Sequence, residues 1–160
     1  MLKLKPMKIL ELNIIKFLDE PEIDMLNCLV KARNEAREYL FDKKKIYIED
    51  AYDFYIKAVK TKKERIWFIS INYGSVDNLV GYINLKEMNN GKDFECGIKI
   101  LKEERGKGIG KKAMRMFLKE LKQTKIKSLV AEIMDKNVNS ENLFQRIGFK
   151  RIKSIWTKKL

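Results

Sequence analysis

The spacing of apolar residues changes its period along the chain and so predicts different elements in different segments. Apolar positions recur every three or four residues over Glu22–Leu40 and again over Glu49–Thr61, which predicts two helices. The runs Arg65–Tyr73 and Asn78–Met88 are rich in β-branched and aromatic residues and predict strands. A first strand is predicted over Met7–Ile15.

The second half of the chain alternates strands with helices. A turn at Asn89–Lys92 leads to a strand over Phe94–Leu101, so that three consecutive strands form an antiparallel meander. A glycine-rich turn then begins a helix that runs to about Gln123. This order predicts the α/β class with a mixed sheet, an antiparallel meander followed by parallel C-terminal strands, and helices on both faces. The last predicted elements are a strand, a short helix and a strand, at Ser128–Met134, Ser140–Ile147 and Phe149–Trp156.

Composition excludes several kinds of chemistry. The 160 residues contain no histidine, which rules out a Ser-His-Asp triad, a histidine base and a histidine-ligated zinc. The two cysteines are too few for a four-thiolate site, and both stand in apolar surroundings typical of buried thiols, so no metal is expected. No apolar run is long enough for a membrane span or a signal peptide. We therefore expect one soluble, cytoplasmic domain over residues 1–160, without a membrane partner.

The net charge of +13 favours anionic partners such as nucleic acid or a phosphate-bearing cofactor. Lysines supply most of this charge and are scattered over almost every segment, whereas arginine, which recognises phosphate and guanine bidentately, is rare. A solvated lysine-rich surface explains this pattern better than a dedicated binding face. No specific nucleic-acid partner is expected from charge alone.

The segment Arg105–Lys112 is the strongest chemical signal in the chain. It lies between a predicted strand and a predicted helix, where free backbone N–H groups and the helix dipole attract anions, so a phosphate or pyrophosphate is expected there. A nucleoside-triphosphate loop is excluded, because it needs a glycine at position 105 and a hydroxyl side chain at position 112. A dinucleotide fingerprint lacks its third glycine, at Lys111. A turn that merely requires flexible residues is the alternative.

Two motifs together resemble the GNAT superfamily of N-acetyltransferases. Arg105–Gly110 matches the pattern Arg/Gln-x-x-Gly-x-Gly/Ala in full, and Asn139–Phe149 is similar to Asn-x-x-Ala-x-x-x-Tyr-x-x-x-Gly-Phe. The resemblance extends from about Ile66 to Phe149. It implies transfer of an acetyl group from acetyl-CoA, as co-substrate, to a primary amine by direct attack. The implied acceptor is a small molecule, such as an amine-bearing nucleotide sugar, or a protein or peptide amine.

The resemblance also assigns a cofactor site. The turn would hold the pyrophosphate through its amides, and the preceding strand would pair its backbone with the pantetheine arm at a splay in the sheet. Phe144 stands where the family carries the tyrosine that protonates the leaving thiolate, and is expected to pack against the thiol end or in the core. Ser140, Tyr82 and Tyr73 are conceivable substitutes for that acid. The implied cofactor residues are Ile98, Lys99, Ile100, Arg105, Gly106, Lys107, Gly108, Ile109, Gly110, Lys111, Asn139 and Phe144.

Catalysis further requires a group that removes a proton from the acceptor amine, which is mostly ammonium at pH 7. Without histidine, the candidates are carboxylates and tyrosines. Glu95 is favoured, because it lies on the strand that leads to the glycine turn and resembles the glutamate that many family members carry there. Partial burial would raise its pKa, which suits a base. A salt-bridged or solvated glutamate is the alternative.

Acceptor recognition is expected from residues 1–64, and acetyl-CoA binding from the core, residues 65–160. Arg33 and Arg37 lie one turn apart on the first predicted helix and would together hold an anionic group, unless they pair with neighbouring glutamates. Only eleven residues follow Phe149, which is short for the family's final hairpin. The acceptor side is therefore expected to be open in a monomer or completed by a second subunit in a homodimer.

Two other functions stay open at this point. A basic nucleic-acid- or ribosome-associated domain with the same fold would use the lysine-rich segment 119–127 and exposed aromatic rings. A catalytically silent acyl-CoA sensor would follow from the loss of the tyrosine at Phe144. The aromatic residues that the first alternative requires are Trp67, Tyr73, Tyr82 and Trp156.

Overall fold

A central sheet buries apolar residues on both of its faces. The computed structural model describes residues 11–16, 20–74, 76–152 and 155–160, and in these ranges a seven-stranded sheet is flanked by helices. The elements in chain order are β1 (Glu11–Lys16), α1 (Ile23–Glu35), α2 (Ile48–Thr61), β2 (Glu64–Asn72), β3 (Asp77–Met88), β4 (Asp93–Ile100), α3 (Ile109–Leu121), β5 (Ser128–Glu132), α4 (Val138–Arg146), β6 (Lys150–Ile152) and β7 (Ile155–Lys159).

The strand order β1-β2-β3-β4-β5-β7-β6 confirms the predicted mixed sheet. Strands β1 to β4 are antiparallel neighbours, β4 and β5 are parallel, and β7 is antiparallel to both β5 and β6. Parallel pairing in the described sheet is thus limited to β4 and β5. The part of the predicted first strand before Glu11 lies outside the described residues.

The single last strand predicted over Phe149–Trp156 is wrong. Strands β6 and β7 pair antiparallel as a hairpin, with Ile152 opposite Ile155, and β7 lies between β5 and β6. The segment 151–154 contains no glycine, proline, asparagine or aspartate, the residues that usually mark a reversal in sequence. An apolar pattern alone therefore could not separate the two strands.

Each face of the sheet is covered by its own pair of helices. Helices α3 and α4 cover one face, and the buried side of α3 repeats every three or four residues, as an amphipathic helix requires. Helices α1 and α2 cover the other face at β2, β3 and β4, around Phe68 and Tyr82. The buried residues of α3 are Ile109, Ala113, Met114, Phe117, Leu118 and Leu121.

Helix α1 ends five residues earlier than its apolar period predicts. After Glu35 the chain forms a short 3₁₀ turn at Arg37–Tyr39. The side-chain amide of Asn34 donates to the Ile46 carbonyl at 2.8 Å and accepts from the Ile46 N–H at 2.9 Å. These bonds fasten the following loop to the end of α1, so tertiary contacts stop the helix where local periodicity would continue it.

Candidate functional site

Strands β4 and β5 separate soon after they meet. Within the described residues they pair only through Phe94 with Leu129 and Glu95 with Val130, whereas β4 continues to pair with β3 as far as Ile100. From Cys96 onward the β5 side of β4 therefore carries backbone donors and acceptors without a strand partner. An extended ligand with amide groups can pair with that edge. The splay that the sequence resemblance required is present.

The glycine turn lies at the end of the splayed strand. Gly106 and Gly108 have φ angles of 77° and 79°, the left-handed region that favours glycine, and a Cβ at either position would have no atom within 4 Å. Backbone conformation and open space, rather than packing, thus explain these two glycines. Gly108 is the N-cap of α3 and provides no side-chain cap, so the first-turn N–H groups are left for an anion.

The cations of the turn are partly engaged with the protein itself. Arg105 donates from Nε to the Ile100 carbonyl at 2.9 Å, which braces the end of β4. Glu104 accepts from Lys107 Nζ and from the Tyr73 hydroxyl, both at 2.8 Å. Tyr73 is therefore bonded at the turn and is a poor substitute for the missing tyrosine. Backbone amides, more than these side chains, are free to hold a phosphate in this geometry.

Packing explains the remaining residues of the turn region. Ile109 is buried, and a Cβ at Gly110 would lie 3.5 Å from Leu143 and 3.8 Å from Ile98. The Ile98 and Ile100 side chains face the α3 core while their backbone lines the splay. The start of α3 is thereby held against β4 and α4. Lys111 is half-buried, and among the described residues it forms no ion pair.

Glu95 lies where β4 and β5 begin to separate, on the face opposite α3. Its carboxylate is half-buried and has neither a hydrogen bond nor an ion pair within the described part of the chain. Burial is the main cause that raises its pKa, and the Glu132 carboxylate adds to the rise, against Lys86 and Lys99. This environment suits a proton acceptor better than a structural ion pair.

Sequence reasoning missed Glu64 as a neighbour of this site. The strand registers place Glu64 opposite Lys86, and Lys86 opposite Glu95, so the two glutamates flank one lysine on the same face. Burial raises the pKa of Glu64, and the charge of Glu95 adds to that rise while Lys86 opposes it. The juxtaposition depends on two strand pairings, for which the chain carries no local signal.

Helix α4 presents Asn139 to solvent and buries Phe144. Asn137 caps the helix, accepting from the Ser140 N–H at 3.2 Å, and Asn139 is exposed in the first turn. Phe144 is 3% exposed and packs edge-to-face on Phe149, with ring centroids 4.9 Å apart. The expected core packing of Phe144 is thus present.

Arg33 and Arg37 do not lie together on one helix, although the sequence predicted that they would. Because α1 ends at Glu35, the two arginines are not one turn apart on a single helix. The Arg33 guanidinium donates to the carbonyls of Lys44 and Asp42 and so holds the loop after α1. Arg37 instead lines an open groove of about 580 Å³, with Glu38, Lys43 and Lys136. A shared anion site for the two arginines has no geometric support here.

The nucleic-acid alternative keeps its exposed lysines at 119–127 but loses two of its four aromatic rings. Trp67 and Tyr82 are buried in the two cores, so they offer no ring for stacking with bases, and the Trp156 side chain lies outside the described residues. In the ranges that the structure covers, no group of three or more possible metal ligands comes together. None of the described helices has the length and apolar character needed to cross a bilayer.

Comparison with known proteins agrees with this geometry. Residues 29–149 match the sequence profile of the acetyltransferase (GNAT) family. An uncharacterized protein of Methanocaldococcus jannaschii is 29% identical over 133 residues, which are 80% of this chain and 26% of that protein. The chain thus spans about a quarter of the length of that relative.

Solved structures share the fold. A domain from Methanocaldococcus jannaschii superposes with a TM-score of 0.77 at 24% identity, covering 94% of this chain and 100% of that one. A phosphinothricin acetyltransferase of Sinorhizobium meliloti, solved in complex with acetyl-CoA, superposes with a TM-score of 0.74 at 13% identity, covering 92% of this chain and 88% of that one.

Proposed function

The chain belongs to the acetyltransferase (GNAT) family, and on that premise we propose that it is an acetyl-CoA-dependent N-acetyltransferase acting on a primary amine. One observation carries the proposal: the splayed edge of β4 leads directly to a glycine turn that leaves the N-terminus of α3 without a side-chain cap. A ligand with an extended amide-rich arm and a pyrophosphate fits both features at once.

The residues present fit acetyl-CoA in two separate ways. The N–H groups of Gly106–Lys111 would hold the pyrophosphate, and the backbone of Gly97–Ile100 would pair with the pantetheine arm. Open space over Gly106 and Gly108 lets a phosphate approach the backbone closely. Acetyl-CoA, when bound, supplies an acetyl group activated as a thioester. Direct cofactor contacts of Asn139 and Phe144 stay predictions.

Glu95 acts as the proton acceptor in this proposal. An acceptor amine with a pKa near 10 is mostly protonated at pH 7 and must lose a proton before it can attack. The Glu95 carboxylate is free of hydrogen bonds within the described residues, and its raised pKa brings it closer to the operating pH. It can therefore hold the ammonium first and take its proton afterwards.

Phe144 leaves the thiolate side without the family's usual side-chain acid. Its ring fills the core beside Phe149, and no hydroxyl replaces it at that position. Tyr82 is buried, and burial raises the pKa of its hydroxyl, which makes it a weak proton donor. Of the three substitutes, Ser140 in the first turn of α4 is left as a candidate, and otherwise proton return to the leaving thiolate falls to solvent in this proposal.

Calorimetric titration with acetyl-CoA tests the proposal, with Gly108→Asn and Gly108→Asp as a matched pair. Both side chains tolerate the left-handed backbone, but only aspartate adds a negative charge at the phosphate site. We expect the aspartate variant to bind at least tenfold more weakly than the asparagine variant. Gly91→Asn, at a φ of 81° in a distant turn, is the control that leaves binding unchanged. Folded wild-type protein that does not bind acetyl-CoA would overturn the proposal.

Turnover with an amine panel separates an enzyme from a silent sensor. Release of coenzyme A that depends on an added amine supports the transferase, whereas binding without turnover for any amine supports the sensor. Four points stay predictions: the acceptor class, the cytoplasmic location, the oligomeric state, and the assignment of residues 1–64 to acceptor recognition and 65–160 to acetyl-CoA binding.

A further inference from the structure

Lys99 is a half-buried cation that forms no ion pair among the described residues, although the charges of Glu95 and Glu64 act on it. Its Nζ donates to Asn84 Oδ1 at 3.2 Å and lies 5.1 Å from the centre of the Tyr82 ring. No ion pair involves it within those residues. Burial, followed by the charge of Arg33, lowers the pKa of Lys99 to about 8. Buried charges are usually paired, so this ammonium has donor capacity left for an anion.

The Lys99 ammonium and the Asn84 amide lie directly over Gly97, against the backbone of β4. A Cβ at Gly97 would lie 2.9 Å from Asn84 Oδ1 and 3.6 Å from Lys99 Nζ. Gly97 is not among the glycines with positive φ, so its backbone conformation does not require glycine. The absence of a side chain at this position therefore lets the ammonium lie against the part of β4 where the sheet splays.

The anion that Lys99 would meet does not belong to the coenzyme pyrophosphate. Lys99 pairs across the sheet with Tyr82, which is part of the α1/α2 core, so its side chain lies on that face. The glycine turn leads into α3, which packs on the opposite face. Arg33, the other cation near Lys99, already donates to loop carbonyls.

Charges along β4 are ordered on this face. Glu95 lies at the start of the splay. The charge of Glu132 raises the pKa of Glu95, and the charge of Glu95 raises the pKa of Glu64, so the three carboxylates lie near one another. The Lys99 ammonium lies further along the strand, beside Gly97. Two residues of strand separate Glu95 from Gly97, which is roughly 7 Å. A ligand lying along this face would thus meet a negative group first and a positive group a few bonds later.

We propose that the acceptor is an amine that also carries an anionic group, a carboxylate or a phosphate, and that Lys99 binds this group while Glu95 faces the amine. The proposal rests on the proposed acetyltransferase function and assigns the substrate class of the same site. In this proposal the anionic group is bound by Lys99 on β4, and not by the pair Arg33 and Arg37 that the sequence predicted.

The test compares matched acceptors that differ only in the anionic group. The pairs are 4-aminobutyrate with 4-aminobutanamide, and 2-aminoethyl phosphate with ethanolamine, so that carboxylate and phosphate are separate arms. Steady-state release of coenzyme A gives KM and kcat, and saturation-transfer NMR in the presence of coenzyme A reports acceptor binding without turnover. Calorimetry with acetyl-CoA on the same preparations tests the proposed function independently.

Three variants make the assignment specific to Lys99. Lys99→Met keeps the length of the side chain and removes its charge, whereas Lys99→Arg retains the charge. Lys119→Met removes an exposed lysine in the last turn of α3, on the other face, and serves as the control. We expect Lys99→Met to raise KM for the anionic acceptor at least tenfold with little change in acetyl-CoA affinity. Because the Lys99 charge also lowers the pKa of Glu95, kcat is followed separately, and the neutral member of each pair shows how much of the effect is due to Glu95. Lys99→Arg should retain most of the wild-type KM.

Each result decides the proposal. Wild-type preference for the anionic member of a pair, lost in Lys99→Met and kept in Lys119→Met, supports it. Equal use of both members, retention of the preference in Lys99→Met, or no binding of any anionic member overturns it. If acetyl-CoA binds normally in those cases, the proposed function stands while the substrate class fails. If acetyl-CoA does not bind, both fail.

Discussion

Replacing Glu95 with glutamine tests its role as proton acceptor with little other change to the site. The amide has nearly the shape of the carboxylate, and the described residues give Glu95 no hydrogen bond or ion pair that glutamine would break. A positioned general base contributes typically 10²–10⁴-fold to rate. We therefore expect kcat/KM of E95Q to fall by roughly 10²–10⁴, with acetyl-CoA affinity unchanged.

The pH dependence of kcat/KM tests the same role of Glu95. Glu95 must be deprotonated to accept a proton, and burial together with Glu132 raises its pKa above the ordinary glutamate value. Wild-type kcat/KM should therefore fall with decreasing pH sooner than an ordinary glutamate would allow, and this acidic limb should disappear in E95Q. The assay is initial-rate release of coenzyme A between pH 5 and 9, with one amine held well below its KM and acetyl-CoA saturating.

Stability separates a catalytic effect from damage to the fold. A folded-state pKa above the unfolded one means that this group favours folding below the unfolded pKa, and that the contribution is lost as pH rises through the folded pKa. At pH 7 the charged wild-type carboxylate thus gives no stabilisation, and E95Q should melt at the same temperature or higher. A variant that is stable and retains wild-type kcat/KM would refute the assignment of Glu95.

Three further predictions concern other parts of the structure. Phe144→Tyr should leave acetyl-CoA binding within threefold and kcat unchanged, because proton return to the thiolate does not depend on a side chain at position 144 in this account; a higher kcat, measured by release of coenzyme A, would contradict that. Asn34→Ala breaks both bonds to Ile46 and should lower the free energy of unfolding by about 1–3 kcal/mol in a urea titration, and a change below 0.3 kcal/mol would contradict the role of Asn34 in ending α1. Burial raises the pKa of the Cys28 thiol to about 11, so iodoacetamide at pH 8 should label it at least a hundredfold more slowly in folded than in urea-unfolded protein, and equal labelling would show that the thiol is accessible.

Local pattern was sufficient for the elements whose identity depends on their own residues. The amphipathic period of α3 and the motif at Arg105–Gly110 predicted the helix and the turn, because glycine conformation and helix-end N–H groups are local properties. The splay before the turn was expected only from the family resemblance. The same holds for the meander of β2, β3 and β4, where turn residues separate clear strand runs.

Pattern failed where distant contacts decide the outcome. Helix α1 stops early because Asn34 bonds to Ile46, which lies twelve residues further along the chain. In the final hairpin β7 pairs with β5, and no glycine, proline, asparagine or aspartate marks the reversal in sequence. The neighbourhood of Glu64, Glu95 and Lys99 depends on strand register across three strands, so the charge order on that face became visible only in the fold.

Hydrogen–deuterium exchange of β4 tests the central claim most directly. The claim is that acetyl-CoA binds along the edge of Gly97–Ile100 and is anchored at the Gly108 turn. We predict that acetyl-CoA slows exchange in the peptide covering residues 96–101, since amides facing β5 gain a partner, and that Gly108→Asp abolishes this protection at the same ligand concentration. Acetyl-CoA binding that leaves exchange of this peptide unchanged would contradict the account.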